Sequence, residues 1–166
     1  MRFVLAAKAA LSFAAGIVIT FSQSHSANVG LLVFGIYAAA YALVVSAVAL
    51  RFEPARFLVD ELSLVILAAT ISCFALLNLN SDKATFALLV AIWGLVSAGY
   101  ELLAARRSRP SGLKNREQLI SASMALLLAG LFLFVPLDVV SAVGFFGAYL
   151  VLSSVHLGIA AFSPKV

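Results

Sequence analysis

Two polar side chains, Glu101 and His156, interrupt apolar stretches of this 166-residue chain and are its best candidates for chemistry. Glu101 lies about one turn from the end of an apolar run over residues 85–105, and His156 lies in a similar position in residues 139–162. A carboxylate facing an imidazole inside a membrane can relay a proton or hold a cation. The sequence therefore makes Glu101 and His156 a candidate intramembrane polar site.

A second interpretation places both residues at the headgroup level. Glu101 would then pair with Arg106 or Arg51, and His156 would cap or hydrogen-bond a neighbouring helix. A 56-residue spacing in the chain aligns His156 with Tyr100, so the two polar residues are expected at similar depth. Both interpretations stay open, because the sequence does not show whether the two side chains face each other.

Other patterns that would indicate catalysis or metal binding are missing from the sequence. The chain has no GxSxG elbow, no HExxH, no phosphate-cradling glycine loop and no CxxC. Two histidines and one cysteine are too few for a structural zinc site, and Cys73 has no partner within the chain for a disulfide. We therefore predict a non-enzymatic protein without a cofactor or a metal.

The composition indicates an all-α membrane protein. Hydrophobic residues make up 64% of the chain and charged residues 11%, with a mean hydropathy of +1.13. Soluble domains have about 45–50% apolar and about 25% charged residues, and a chain this small cannot hide the excess in a core. The net charge of +4 is expected to lie in loops that flank the membrane, which argues against nucleic-acid binding.

Six apolar segments have the length that a membrane span requires, which is about 20 residues for about 30 Å of hydrocarbon. They cover residues 3–21, 29–50, 62–79, 85–105, 118–135 and 139–162, so that residues 1–166 form a single transmembrane domain. The alternative for the first segment is a signal peptide ending near Ser26. Lys8 interrupts the apolar run, which is also longer than about 15 residues, and both features favour a span.

The basic residues predict the orientation of the six spans. Of the 11 lysines and arginines, only Lys83 falls on one side; the others fall in the N-terminal region, the two longer loops and the C-terminus. This asymmetry is typical of cytoplasmic loops, so both termini are expected in the cytoplasm of a bacterium whose inner membrane holds the protein.

The longest loop carries a basic cluster, which consists of Arg106, Arg107, Arg109, Lys114 and Arg116. Its simplest role is to determine topology. It would also attract anionic lipid headgroups, with each basic residue contributing about 1 kcal/mol near such a surface. Contact with another protein is a third interpretation of the same cluster.

A repeated pattern indicates that the six spans form three tandem helical hairpins, over about 3–50, 62–105 and 118–162. A small or apolar triplet ending in an aromatic residue recurs every 56 residues, as Gly35-Ile36-Tyr37, Ala91-Ile92-Trp93 and Gly147-Ala148-Tyr149. The three aromatic residues are either a matched packing layer, which we favour, or the inner edge of an aromatic belt. Small residues four apart predict close helix contacts, at Gly35/Ala39, Gly94/Ala98, Gly144/Ala148 and Ser154/Gly158.

With these triplets, and with residues 130–136 before the last turn (Gly-Leu-Phe-Leu-Phe-Val-Pro), the chain resembles the HdeD-type bacterial membrane proteins. That resemblance implies six spans built from short repeated hairpins and a role in acid or envelope stress resistance. It brings no established catalytic residues. The first two hairpins lack the proline that precedes the turn of the third.

The predicted function is that of a small, non-enzymatic inner-membrane protein that supports envelope or acid-stress resistance. One alternative is an accessory subunit of a larger membrane complex, and another is a proton or small-solute pathway that uses Glu101 and His156. The expected partners are membrane lipids and either further copies of the chain or a larger membrane complex, because small-residue helix faces leave packing surface to spare.

Overall fold

A computed structural model of the chain describes residues 2–52, 54, 61–107 and 113–163. These residues form six helices and no strand, which confirms the all-helical prediction. In chain order the helices are α1 (Arg2–Phe21), α2 (Ala27–Phe52), α3 (Leu62–Leu77), α4 (Lys83–Arg107), α5 (Leu113–Phe134) and α6 (Val139–Phe162).

Five of these helices are long and apolar enough to cross a membrane, namely α1, α2, α4, α5 and α6. Helix α3 is apolar but has 16 residues and ends two residues before the predicted end of the third span. At 1.5 Å per residue it is about 24 Å long, which is less than the hydrocarbon thickness of about 30 Å. The described helices are thus compatible with a multi-pass membrane protein.

Short polar turns begin two of the helices. Asp138 accepts hydrogen bonds from the backbone N–H groups of Val140 (3.1 Å) and Ser141 (3.2 Å), and it is therefore the N-cap of α6. Asp82 accepts from the Thr85 N–H and hydroxyl in the same way, each at 3.1 Å. Hydrogen bonds from Ser141 and Thr85 hold the pKa of each carboxyl below its usual range.

The most extensive helix contacts join α4 to α5, α1 to α6 and α2 to α3. Contacts of α1 with α2 are fewer, and those of α3 with α4 and of α5 with α6 are much fewer. The tightest packing therefore joins helices from different predicted hairpins. Helices α2, α4 and α6 also touch one another, and the contact of α1 with both α2 and α6 closes the bundle.

Glycine allows each tight pair to approach closely. A Cβ on Gly94 of α4 would lie 2.8 Å from the backbone oxygen of Ala125 in α5, and a Cβ on Gly35 of α2 would lie 2.8 Å from the Leu76 side chain in α3. Between α1 and α6, a Cβ on Gly16 would lie 2.7 Å from Val151. Since lipid offers helices no hydrophobic drive to associate, such contacts supply the packing energy.

The small-residue pairs predicted from the sequence divide into two groups. Gly35 and Gly94 lie at close helix contacts, whereas a Cβ on Gly144 or Gly158 would meet nothing within 4 Å. In α6 the close contact is made instead by Gly147, whose Cβ would lie 2.6 Å from Ile19. The prediction was thus correct for Gly35 and Gly94 and wrong for Gly144 and Gly158, although Ser154 of α6 is buried. The sequence does not show which face of a glycine-rich helix turns inward.

The apolar core lies toward the end of the bundle that holds the Lys83 turn. Phe34, Phe86 and Phe146 are fully buried there, and the Phe146 ring lies 4.7 Å from that of Phe34 and 5.8 Å from that of Phe86. Burial also follows the 56-residue spacing, since Ala49, Ala105 and Ala161 are all buried near the other ends of their helices. A polar cavity interrupts the packing between these two levels.

Candidate functional site

The cavity is lined by side chains from all six helices and has a volume of about 50 Å³. A single water needs about 10–15 Å³ of such volume, so the cavity has room for roughly three to five waters. Its polar lining consists of Lys8, Ser12, Tyr37, Tyr41, Trp93, Ser97, Glu101, Ser121, Tyr149, Ser153 and His156. So many polar groups are unusual inside a bundle of apolar helices, because each needs a partner there.

Helix α1 contributes the positive charge of the cavity. Lys8 and Ser12 are four residues apart, so both lie on one helix face, and both are buried. The Lys8 Nζ lies 2.7 Å from Oε2 of Glu61, at the start of α3, and 5.7 Å from the centre of the Tyr41 ring. A buried ammonium requires such a counter-charge, and the aromatic face adds a cation–π contact.

Helix α4 contributes the carboxylate predicted from the sequence. Trp93, Ser97 and Glu101 are spaced by four residues and line the cavity along one face. Glu101 is half-buried and close enough to Lys8 for an electrostatic interaction between the two charges. The cavity therefore combines one ammonium with the fields of two carboxylates, Glu61 and Glu101.

Helix α6 brings His156 to the same cavity. Its Nε2 lies 3.1 Å from the backbone carbonyl oxygen of Glu117 in α5. A carbonyl oxygen only accepts hydrogen bonds, so Nε2 is the donor in this contact, and Nδ1 is the ring nitrogen that the contact leaves available. The structure thus places Glu101 and His156 on one cavity, and it also shows the hydrogen bond between His156 and a neighbouring helix that the second interpretation anticipated.

Aromatic rings form the wall between the cavity and the apolar core. The Trp93 ring makes edge-to-face contacts with Tyr37 at 6.0 Å and with Tyr41 at 5.4 Å. The Tyr37 hydroxyl lies 3.2 Å from Oγ of Ser12. Tyr37, Trp93 and Tyr149, which occupy matching positions 56 residues apart, all line the cavity. This placement agrees with the matched packing layer that we favoured over an aromatic belt.

Two buried polar atoms of the wall lack a hydrogen bond within the described part of the chain. They are Nε1 of Trp93 and Oγ of Ser97. The Tyr149 side chain lies beside the Trp93 indole but does not meet its N–H in hydrogen-bonding geometry. A serine in a helix usually bonds the carbonyl one turn earlier, and Ser97 does not.

The basic cluster lies at the junction of α4 and α5. Arg106, Arg107 and Arg116 are exposed, while Arg109 and the side chain of Lys114 lie outside the described residues. The two helices are tied together at this level by Asn115, whose Nδ2 donates to the Ala105 carbonyl at 2.8 Å. The described arginines are therefore accessible to a charged partner.

Sequence reasoning did not identify Lys8, Glu61 or Ser97 as parts of the site. Ser97 could have been found, because residues 93, 97 and 101 recur at one-turn spacing on the face that carries Glu101. Glu61 could not, because its pairing with Lys8 across 53 residues depends on how α1 packs against α3.

In the described ranges, no group of three or more His, Cys, Asp or Glu side chains converges to hold a metal ion.

Comparison with known proteins finds no matching family model, no matching curated protein and no matching solved structure. The resemblance to HdeD-type proteins therefore rests on its quoted motifs, and it stays a prediction.

Proposed function

We propose that this chain is a multi-pass membrane protein whose central cavity passes protons across part of the bilayer. The observation that carries the proposal is the meeting of Lys8, Glu61, Glu101 and His156 around one cavity or at its edge. Ionisable groups inside membrane helices are expensive to bury, and they usually mark ion or proton paths. A purely structural bundle would fill the same space with apolar side chains.

His156 and Glu101 have complementary parts in such a path. His156 is anchored through Nε2, so Nδ1 is the ring atom that takes up and releases a proton. Glu101 lies on the same cavity and supplies a carboxylate that accepts or returns a proton. Lys8 brings its ammonium within electrostatic reach of Glu101, and the contact with Glu61 holds that ammonium in place.

The proposed topology has three tandem hairpins, with α3 as a sixth, short span and both termini in the cytoplasm. Burial that recurs every 56 residues at Ala49, Ala105 and Ala161 supports the repeat. The ten basic residues opposite Lys83 support the orientation, in a bacterial inner membrane. In this arrangement the cavity lies in the cytoplasmic half of the bundle.

The proposed physiological role is support of acid or envelope stress resistance, in line with the resemblance to HdeD-type proteins. A proton-passing cavity fits a role in acid stress. The proposed partners are anionic lipids, at Arg106, Arg107, Arg109, Lys114 and Arg116, together with further copies of this chain. If the protein is instead an accessory subunit, the native mass in mild detergent will be that of a complex with a larger, unrelated protein.

The experiment that tests the pathway is proton flux into liposomes that contain the purified protein, driven by a potassium potential. We expect Glu101→Gln to reduce flux by about tenfold or more, because proton transfer through a positioned side chain contributes about 10²–10⁴-fold to rates. We expect a similar loss for His156→Phe.

The matched control is Glu117→Gln, which makes the same chemical change one helix away. Glu117 does not line the cavity, and its backbone carbonyl still accepts from His156 after the substitution. Unchanged flux in Glu101→Gln, with the protein correctly folded, would refute the pathway.

A further inference from the structure

The wall of the cavity presents a hydrogen-bond donor that no described residue satisfies. Trp93 is 4% exposed and Ser97 is 7% exposed. Yet Trp93 Nε1 and Ser97 Oγ have no hydrogen-bond partner within the described ranges. Both residues line the cavity from one face of α4. Buried polar atoms in native proteins are nearly always satisfied, by protein or by ordered water.

The chemistry of these two atoms limits what the cavity can hold. An indole N–H only donates, so its partner must be a hydrogen-bond acceptor. The positive end of that N–H and the nearby Lys8 ammonium both disfavour a bare metal cation at this wall. The volume of about 50 Å³ matches roughly three to five waters and is small for an organic solute.

We infer that a cluster of bound water fills this cavity, hydrogen-bonded to Trp93 Nε1 and Ser97 Oγ, and that these waters carry protons between His156 and Glu101. The species that crosses the cavity is then a proton, rather than a metal cation or a small organic solute. Each water accepts one proton and passes another on, so that no atom is consumed or left over. The transport half of this inference rests on the proposed function, whereas the water cluster does not.

Radiolytic labelling tests the water cluster without any assay of transport. A short X-ray pulse splits bound water into hydroxyl radicals, which oxidise the side chains that touch it. Trp93 is the sole tryptophan of the chain, so its oxidised peptide reports on the cavity alone. We expect rapid oxidation of Trp93 and of Tyr149, and none of Phe34 and Phe146, which are buried in the apolar core.

The variant Ser97→Val removes the hydroxyl and fills part of the cavity, so that Trp93 oxidation should fall toward the level of the core phenylalanines. Because the same indole is compared in two proteins, its intrinsic reactivity cancels. The matched control is Ser72→Val, since Ser72 is equally buried in α3 but does not line the cavity. If Ser97→Val fails to fold, the comparison of Trp93 with Phe34 and Phe146 in the unaltered protein still decides the question.

The outcomes separate the two proposals. Trp93 oxidation no faster than that of the core phenylalanines would overturn the water cluster, whatever the flux through Glu101. A labelled Trp93 together with flux that Glu101→Gln does not change would uphold the cluster and refute the proposed function. Flux of sodium or potassium at the rate of proton flux would overturn the inference that the proton is the species carried.

Discussion

The contact between Lys8 and Glu61 is the strongest electrostatic feature of the site. The two charged atoms lie 2.7 Å apart, and the side chains are 8% and 14% exposed. At such burial the partners depend on each other, because a lone charge in this environment loses its hydration without compensation. Their pairing fixes the start of α3 against the middle of α1, which are distant in the chain.

Replacing Lys8 by methionine should therefore destabilise the protein strongly. The substitution keeps the length of the side chain but leaves the Glu61 carboxylate buried alone, which costs about 3–5 kcal/mol. We expect this loss in the free energy of unfolding, measured by titration with sodium dodecyl sulfate in mixed micelles.

The double variant Lys8→Met/Glu61→Gln should recover much of that stability, since it removes both charges together. Lys83→Met serves as the control, because Lys83 is exposed and its ammonium donates to the Leu137 carbonyl at 2.8 Å. A loss for Lys8→Met no larger than that for Lys83→Met would contradict the buried pair.

At the scale of the helices, the contact of α4 with α5 depends on one glycine. A Cβ at Gly94 would lie 2.8 Å from the Ala125 oxygen and 3.1 Å from the Ala129 nitrogen, and both are backbone atoms that cannot rotate away. Gly94→Ala would thus push the two helices apart. We expect it to reduce the free energy of unfolding by about 1–3 kcal/mol, as overpacked sites do.

The same helix supplies the control for this substitution. A Cβ on Gly99 would meet nothing within 4 Å, so that Gly99→Ala adds no clash and improves helix propensity. We expect Gly99→Ala to leave stability unchanged or to raise it slightly, in the same detergent titration. Equal effects at the two positions would show that the α4–α5 contact does not limit stability.

Much of the helical framework could be predicted from the sequence, because apolar length and polar turns determine it locally. The predicted segment 139–162, for example, matches helix α6 (Val139–Phe162). The length of α3 was predicted less well: its apolar run continues to Leu79, yet the helix ends at Leu77 before the turn at 78–80. Turn geometry, rather than hydropathy, decided that boundary.

The candidate site was predictable only in part. The 56-residue spacing indicated that Glu101 and His156 lie at similar depth, and both line the cavity. Their rotation about the helix axes could not be predicted, because α4 and α6 are apolar on nearly every side and so carry no amphipathic signal. Glu61 was beyond prediction for a related reason, since its partner is set by helix packing.

At the scale of the whole molecule, the orientation in the membrane follows from the basic residues and can be tested by cysteine labelling. In a Cys73→Ser background, single cysteines are introduced at Lys83 and at Arg107, which are both exposed. We expect a membrane-impermeant maleimide to label Lys83→Cys in intact cells and Arg107→Cys only after the membrane is opened, because basic loops stay in the cytoplasm.

Labelling of Arg107→Cys but not Lys83→Cys in intact cells would contradict this topology. It would also direct attention to α3, since a helix of 16 residues that fails to cross the membrane exchanges the two sides for everything after it. A cysteine in place of Arg2 would identify the cause. In intact cells the maleimide does not label this cysteine if only α3 fails to cross the membrane, and it labels this cysteine if the whole bundle is inverted.

The uneven contacts between neighbouring helices have a mechanical consequence. The bundle contains three tightly packed helix pairs, which are α1 with α6, α2 with α3 and α4 with α5. Contacts between these pairs are fewer, and the fewest are those of α3 with α4 and of α5 with α6. Contacts with few packed atoms separate at the lowest free energy. We therefore expect each tightly packed pair to move as a rigid unit. An outward tilt of the α4–α5 pair alone would open both of the sparsest contacts, those of α3 with α4 and of α5 with α6.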